Sequence, residues 1–253
     1  MNSKSSKKVV LVWDSGVGGL SILNALIVAK TGVKYVYYAD TKNLPYGTKS
    51  VLYLRQKVLP NMDKIIKQYN PVCIILACNT ITATLVDEIR SIYKNIFVIG
   101  TEPAIKPALR SNKEMLLMMT PVTYDNCKLV RELKEDKVIK KHWLVDENLA
   151  MVIQDYWWDK KYIKEYITTK LIKYKDKKLV VVLGCTHYVL VKDIIMEILG
   201  GNAEILDSTQ GVTNRLKQVL KIEDERDAEV EIVGSENIKS IWYSIRGNDV
   251  CVE

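Results

Sequence analysis

Short apolar runs alternate along the chain with longer segments in which apolar residues recur at helical spacing. Such runs are typical of strands buried on both faces, and the helical spacing is typical of amphipathic helices. The apolar runs predict strands over residues 8–13, 34–39, 72–77, 96–99, 115–119, 138–144, 179–183 and 204–206. The periodic segments predict helices over residues 19–29, 50–68, 80–92, 104–111, 124–133, 148–157, 160–174, 189–199 and 210–220.

Two segments of the chain repeat the same order of residues around a cysteine. PVCIILACNTITAT and KLVVVLGCTHYVL each pass from a buried strand through a small residue to Cys, followed by polar residues that open a helix. A similar strand and turn occurs in VVLVWDSGVGG and again in MLLMMTPVT. The alternation of elements predicts an α/β fold of mostly parallel sheets flanked by helices. The repeat further predicts two related, pseudo-symmetric halves whose corresponding strand ends face each other.

The composition is that of a globular protein with a lysine-rich surface. Of the 253 residues, 48% are hydrophobic, which is enough to fill a packed core, and the formal net charge is +7. The lysines are spread along the chain and mixed with acids, as in KKYIKEYITTK, rather than gathered with aromatic residues into one stripe. This distribution disfavours a nucleic-acid-binding protein and favours a solvated surface whose mild positive field attracts anionic substrates.

The start of the sequence is basic, but the apolar run that follows spans only residues 9–13 before Asp14 interrupts it. Such a run is too short for a signal peptide or a membrane span, and no later stretch is long enough. We therefore expect a cytoplasmic protein without a membrane partner. In that compartment the five cysteines are expected to be free thiols rather than a disulfide framework.

Ligands of open α/β sheets bind beyond the carboxyl ends of the strands. This rule selects a set of polar, small and thiol-bearing residues that follow predicted strands. They are Asp14, Ser15, Pro45, Tyr46, Gly47, Cys78, Asn79, Thr80, Thr120, Thr123, Cys185, Thr186 and His187. The hydroxyl and amide groups among them suit the binding of carboxylates and an amino group, although each could instead cap a helix.

Cys78 and Cys185 each follow a strand at or just before a predicted helix N-terminus. Unpaired backbone N–H groups and the helix dipole favour a thiolate there, so we expect both thiols to exchange protons near neutral pH. A single buried cysteine is as often structural, and Cys73, Cys127 and Cys251 are interpreted in that way. Two cysteines in equivalent positions favour a functional role.

Two opposed thiols suit the inversion of a stereocentre. Inversion through a planar carbanion requires a base on one face of the carbon and an acid on the opposite face. Asp14 and His187 are expected to orient the thiols or to exchange protons with them. Alone, Asp14 could be a helix cap and His187 a satisfied buried histidine. With both cysteines nearby, the sequence predicts proton exchange without a cofactor.

Nucleotide and metal sites fit these residues poorly. The turn DSGVGG lacks the GxGxxG spacing and the lysine of a phosphate loop, so a nucleotide-dependent enzyme is disfavoured and a carboxylate is the expected anion. The sequence has no CxxC or HExxH, and His142 lies in a lysine-rich strand without a companion. Trp157 and Trp158 close a helical pattern and are assigned to the core or to a subunit interface.

The motifs resemble those of glutamate racemases in the cofactor-independent aspartate/glutamate racemase superfamily. The matching segments begin at Asp14, Tyr37, Ile75, Val98 and Leu183 and read DSGVGGLSIL, YYADTKNLPYGTKS, ILACNTITAT, VIGTEPAIKPAL and LGCTHY. They run from the N-terminus to about residue 220, with a poorly matching middle. The pair of ACNT and GCTH segments is highly specific to the family.

The resemblance implies racemisation of L-glutamate to D-glutamate, without a cofactor, to supply peptidoglycan synthesis. Cys78 and Cys185 would be the two catalytic bases, each acting on one enantiomer, with Asp14 and His187 assisting them. The implied substrate contacts are Ser15, Pro45, Tyr46, Gly47, Asn79, Thr80, Thr120, Thr123 and Thr186. The resemblance also implies a homodimer, and two α/β domains with the active site in the cleft between them. The first domain would comprise residues 1–99 with 208–253, and the second residues 100–207.

The middle of the chain departs from the family pattern. DENLAMVIQDYWW stands where the family usually has a cysteine-proline turn and a helix bearing a glutamate, and Gln154 takes the place of that glutamate. One charge that tunes the site is therefore expected to be missing. Val189 replaces the proline that commonly follows GCTHY, whereas MTPVTY keeps Thr120 and Thr123. Since both thiols are retained, we expect activity.

Two alternatives remain open at this point. One is a racemase of the same mechanism that acts on aspartate or another amino acid, because the length of the preferred side chain depends on the shape of the pocket. The other is a binding protein that keeps the fold but has lost turnover. The changed middle segment favours the binding protein, and the retained thiols with Asp14 and His187 disfavour it.

Overall fold

Two parallel sheets carry the fold, and their central strands are the apolar runs of the sequence. The computed structural model describes residues 7–223 and 226–246. Its strands are β1 (Val9–Asp14), β2 (Lys34–Ala39), β3 (Cys73–Leu76), β4 (Phe97–Gly100), β5 (Glu114–Met119), β6 (Lys141–Val145), β7 (Leu179–Gly184), β8 (Glu204–Leu206) and β9 (Glu229–Val233). They form one sheet in the order β4-β3-β1-β2-β9 and another in the order β6-β5-β7-β8, with parallel neighbours throughout. The predicted α/β class is confirmed.

Helices connect the strands and pack on the sheets. They are α1 (Leu20–Val28), α2 (Val51–Tyr69), α3 (Asn79–Ile92), α4 (Ile105–Leu109), α5 (Pro121–Asn126), α6 (Lys128–Glu135), α7 (Leu149–Tyr156), α8 (Lys160–Leu171), α9 (Thr186–Val189), α10 (Lys192–Leu199), α11 (Thr209–Leu220) and α12 (Glu236–Arg246). The helix predicted at 124–133 is split into α5 and α6, because Cys127 between them has an extended backbone. The helix predicted at 189–199 begins only at Lys192 as α10, and the short helix α9 precedes it.

The segment after residue 220 contains two elements that the sequence patterns did not predict. β9 alternates charged and apolar residues and lies at the sheet edge beside β2, where Glu231 pairs with Lys34 at 2.6 Å. α12 buries Ile238, Ile241 and Trp242 in the core of the first sheet. The strand predicted at 138–144 begins only at Lys141. Cys251 lies outside the described residues.

The two faces of each sheet are packed by different helices. In β1, Val10 and Val12 pack with α1, α11 and α12, whereas Leu11 and Trp13 pack with α2 and α3 on the opposite face. β5 and β7 in the second sheet are divided between two further clusters in the same way. Burial on both faces explains why these strands are apolar runs rather than alternating ones. It also fixes the positions of the residues that follow the strand ends.

The chain passes from the first sheet to the second between β4 and β5 and returns between β8 and β9. The division into domains at 99/100 and 207/208 stays a prediction. Within the described residues, no helix combines the length and the apolar character that a membrane crossing requires.

The packing of α12 can be tested with two isoleucines on that helix. Ile241 is 1% exposed and Ile245 is 39% exposed. We expect Ile241→Ala to lower the free energy of unfolding by about 2–5 kcal/mol, because it leaves a cavity in the core, and Ile245→Ala to lower it by less than about 1 kcal/mol. Urea unfolding of both variants measures the difference, and equal effects would show that α12 is not packed on this core.

Candidate active site

Cys78 lies at the end of β3, a strand flanked by neighbours on both sides of the first sheet. Its backbone is extended and it is the N-cap of α3, so the N–H groups of Thr80 and Ile81 point towards its sulfur. The side chain of Ser15 also donates to the thiol. The residue is 7% exposed.

Cys185 occupies the equivalent place in the second sheet. It follows the end of β7 with an extended backbone and is the N-cap of α9, with the N–H groups of His187 and Tyr188 directed at its sulfur. It is 8% exposed. The repeated layout of ACNT and GCTH therefore places two thiols at corresponding strand ends of two different sheets.

The expectation that helix N-termini bring both thiols near neutral pKa values is not met in this structure. Burial, followed by the nearby charge of Asp14, raises the pKa of the Cys78 thiol to about 12 against the opposing effect of its hydrogen-bond donors. Burial, and the repulsion that an ionised Cys78 would exert, raise the pKa of Cys185 as well. Desolvation of the thiolate outweighs the donors because water is nearly excluded from both sulfurs. Both thiols are protonated at rest and need a base.

Asp14 is a candidate for such a base. It ends β1 and is fully buried, and burial raises the pKa of its carboxyl group to about 7. The backbone N–H of Gly16 donates to Oδ1 at 2.8 Å, and the Thr186 hydroxyl donates to Oδ2 at 3.3 Å. The carboxyl group thus connects the end of the first sheet with the turn that carries Cys185. A pKa near 7 suits proton exchange at neutral pH.

His187 lies on the side of Cys185, with its Nδ1 4.0 Å from the sulfur. Its Nε2 is 3.1 Å from Oε1 of Gln154 in α7, and the same oxygen accepts a hydrogen bond from the Val17 backbone N–H at 2.9 Å. Burial lowers the pKa of His187 to about 4. The imidazole is therefore neutral at physiological pH and can accept a proton.

Three threonine hydroxyl groups form a triangle near the start of α3. Thr80 Oγ1 lies 3.1 Å from Thr120 Oγ1 and 3.2 Å from Thr123 Oγ1, and Thr120 donates to Thr123 at 3.0 Å. All three residues are buried. Gly47 packs so closely on Thr120 that a Cβ there would lie 2.7 Å from the Thr120 Cβ. The structure thus brings together residues that the sequence placed at three separate strand ends.

Asn79 presents a buried polar atom that the protein leaves unpaired. Its Nδ2 donates to the Thr101 carbonyl at 2.9 Å, whereas its Oδ1 has no hydrogen-bond partner among the described residues. The Thr101 hydroxyl is in the same situation. An unpaired buried acceptor costs free energy unless a ligand supplies a donor. Asn79 Oδ1 is therefore suited to accept from a bound ammonium or amide group.

The Pro45–Gly47 loop is positioned by Tyr46, whose hydroxyl is hydrogen-bonded within the protein. The Tyr46 hydroxyl donates to Asp40 Oδ2 at 2.6 Å and accepts from the Trp13 indole N–H at 3.1 Å. The sequence analysis missed Asp40, although it directly follows β2 and the strand-end rule could have found it. Asp40 also accepts from Asn43 and Asn61, so it holds the loop in place.

Other residues singled out from the sequence lie apart from this site. Cys73 and Cys127 are buried in the cores, and His142 contacts Glu114 between β5 and β6. Trp157 packs partly against the first core, whereas Trp158 is 64% exposed. Over residues 7–223 and 226–246, no group of three or more His, Cys, Asp or Glu is placed to hold a metal ion.

Comparison with known proteins gives consistent matches in sequence and fold. The chain is 39% identical over 215 residues to the glutamate racemase of Clostridium acetobutylicum, covering 83% of this chain and 82% of that protein. Its fold is similar to a glutamate racemase isoform from Bacillus anthracis, with a TM-score of 0.79 and 26% identity over 99% and 97% of the two chains. It is also similar in fold to Escherichia coli glutamate racemase in complex with L-glutamate and the activator UDP-MurNAc-Ala, with a TM-score of 0.80 and 23% identity over 95% and 94% of the chains. No protein-family model matches the chain.

The raised pKa of Asp14 predicts a pH-dependent difference in stability between the wild type and Asp14→Asn. Because the folded state binds the Asp14 proton more tightly than the unfolded state, this contribution is complete below about pH 4 and is lost as pH rises to about 7. Relative to the wild type, Asp14→Asn should gain on the order of 4 kcal/mol of unfolding free energy over that interval.

His187 provides the control of opposite sign. Its lowered pKa contributes stability above about pH 6.5 that is lost as pH falls to about 4, and His187→Asn removes that loss. Urea unfolding at pH 4.5, 6 and 7.5 measures both differences. A constant difference between Asp14→Asn and the wild type across this range would rule out the raised pKa.

Proposed function

The chain belongs to the glutamate racemase family, and we propose that it interconverts L- and D-glutamate by exchanging the α-proton between Cys78 and Cys185 without a cofactor. The observation that carries the mechanism is the equivalent placement of the two buried thiols, each at the end of an interior strand of its own sheet.

We assign a different proton acceptor to each thiol: His187, whose Nδ1 lies 4.0 Å from the Cys185 sulfur, and Asp14, whose charge raises the pKa of Cys78. On one side, the Cys185 S–H bond breaks as His187 Nδ1 gains the proton, and the electron pair stays on the sulfur as the thiolate. That thiolate removes the α-proton from one face of the substrate, and Cys78 donates its own proton to the opposite face. The cycle closes when the proton held by His187 returns to the Cys78 thiolate as the product leaves. The reverse direction starts from the Cys78 thiolate, with Asp14 as the proton acceptor and Cys185 as the donor. Only one thiol is ionised at a time, since like charges in a buried site repel each other.

The polar groups around the thiols support a dicarboxylate amino acid as substrate. The start of α3 and the hydroxyl groups of Thr80 and Thr123 can donate to carboxylate oxygens. The hydroxyl groups of Ser15, Thr120 and Thr186, which donate to Cys78, Thr123 and Asp14 here, can do so by rotating. Asn79 Oδ1 is the acceptor available for the substrate ammonium group. Pro45, Tyr46 and Gly47 would contribute chiefly the shape of the pocket, because the Tyr46 hydroxyl is held by Asp40 and Trp13.

The wider role of the protein is proposed on the basis of family membership. D-glutamate made by this reaction would supply peptidoglycan synthesis in the cytoplasm. A homodimer is proposed as the assembly. The exposed Trp158, which lies 6.2 Å from Tyr156 between ring centroids, is a candidate interface residue.

Removal of either thiol tests the mechanism. We expect Cys78→Ala and Cys185→Ala each to lower racemisation in both directions by at least about 100-fold, because one face of the substrate loses its acid or base. Serine at either position should also fail, because an alcohol is a far weaker acid than a thiol near neutral pH. Cys73→Ala is the matched control, since that buried thiol lies at the start of β3, the strand end opposite Cys78, and it should retain activity. Either alanine variant with substantial two-way turnover would contradict the two-thiol assignment.

Exchange of the α-proton in deuterated water tests the substrate. The purified protein is given L-glutamate, D-glutamate, L-aspartate and D-aspartate separately without a cofactor, and NMR and circular dichroism follow exchange and inversion. We expect both to occur with the glutamate enantiomers. A preference for aspartate would assign a different amino acid to the same mechanism, and no exchange with any of the four would favour a binding protein.

A further inference from the structure

Gln154 contacts two neighbours whose chemistry fixes the orientation of its side-chain amide. The Val17 backbone N–H is a donor, so the amide atom 2.9 Å from it must be the acceptor oxygen Oε1. A flipped amide would direct its NH2 group at another N–H donor. The same oxygen lies 3.1 Å from His187 Nε2. The orientation of the amide therefore does not depend on any assumption about the histidine.

The orientation of the amide in turn fixes the position of the proton on His187. An amide oxygen cannot donate, so the close contact with Nε2 is a hydrogen bond only if Nε2 carries the proton. In the other neutral tautomer, two lone pairs would face each other in a buried site. With the proton on Nε2, Nδ1 has a free lone pair and faces the sulfur of Cys185 at 4.0 Å.

We propose that Gln154 is a positioning residue that holds His187 in the Nε2–H tautomer and so keeps Nδ1 free to accept the Cys185 proton. The role of Nδ1 rests on the proposed function, whereas the tautomer itself does not. Gln154 sits in α7, far from residues 17 and 187 along the chain, and joins them through one oxygen atom.

Gly16, the residue before Val17, leaves the space that the Gln154 amide occupies. A Cβ at Gly16 would lie 2.2 Å from Gln154 Oε1, so a side chain at that position would displace it. Gln154 itself is 7% exposed, and water has little access to replace its oxygen. The contact is therefore a built part of the site.

A neutral amide and a carboxylate at this place have different consequences for His187. A carboxylate would stabilise the imidazolium and raise the pKa of the ring, whereas the amide leaves the buried imidazole neutral. Two titratable groups lie close to the ring, Cys185 at 4.0 Å from Nδ1 and Asp14, which accepts from the neighbouring Thr186. The Nε2 side of the ring faces Gln154.

The tautomer can be observed directly by NMR, independently of catalysis. The chain has two histidines, so protein labelled with ¹⁵N-histidine gives two sets of ring signals, and His142→Asn identifies those of His187. At pH 7 we expect the His187 ring nitrogens to show a protonated Nε2 and an unprotonated Nδ1. A protonated Nδ1, or an imidazolium at that pH, would overturn the proposal.

Two substitutions test whether Gln154 is the cause. Gln154→Glu should raise the His187 titration midpoint by at least about one pH unit, because the carboxylate pairs with the imidazolium. Gln154→Leu should allow a measurable population of the Nδ1–H tautomer. Gln56→Glu on the exposed side of α2 is the matched control and should leave the His187 signals unchanged. Unaltered His187 signals in both Gln154 variants would show that another group sets the tautomer.

Kinetics separate this inference from the proposed function. Gln154→Leu should lower kcat more than it raises KM, and kcat/KM should fall by the same factor in both directions because the two enantiomers have equal free energy. If NMR shows the expected tautomer but Cys185→Ala retains racemisation, the tautomer stands and the two-thiol mechanism fails. If Cys185→Ala is inactive but His187 is protonated on Nδ1, the mechanism stands and the role of Gln154 is wrong.

Discussion

Cys78 and Cys185 lie in a site from which water is nearly excluded, with 7% and 8% of their surfaces exposed. Burial raises the free energy of each thiolate, so neither sulfur ionises without a neighbour to receive its proton. The same burial also shifts the pKa values of the two groups proposed to accept these protons. It raises the pKa of Asp14 and lowers the pKa of His187. At neutral pH His187 is thereby uncharged and Asp14 is only partly ionised. A closed site can hold these groups together because few of them carry a charge at once.

The two sides of the site are related in backbone but not in chemistry. β3 and β7 end in the same way, with an extended cysteine that caps a helix. The proton acceptors assigned to the two thiols differ. For Cys78 the acceptor is the carboxyl group of Asp14, and for Cys185 it is the imidazole of His187, which contacts the amide of Gln154. Proton transfer from a thiol to a carboxylate moves a negative charge, whereas transfer to a neutral imidazole creates a pair of opposite charges. In the proposed mechanism, the two directions of the reaction therefore start from different electrostatic situations, even though they pass through the same carbanion.

The sequence predicted the central strands, both cysteines and most of the hydroxyl-bearing residues, because buried parallel strands and strand-end positions leave strong local patterns. β9 and α12 were missed, since the edge strand alternates Glu with apolar residues and carries no continuous apolar run. The pKa values of the thiols were predicted in the wrong direction, because helix N-termini are visible in a sequence and the depth of burial is not. The contacts of Gln154 with Val17 and His187 also leave no local pattern in the sequence, because the partners are 137 and 33 residues apart along the chain.

The connectivity of the sheets has a mechanical consequence. The second sheet lies between two crossings of the chain, after β4 and before β9, so it is tethered to the first sheet at both of its ends. A double tether permits opening about the two crossings but resists translation or twisting of one sheet past the other. A single cut in either crossing would leave the two halves covalently joined through the other. The two strand ends that carry Cys78 and Cys185 are thus linked by two covalent paths rather than one.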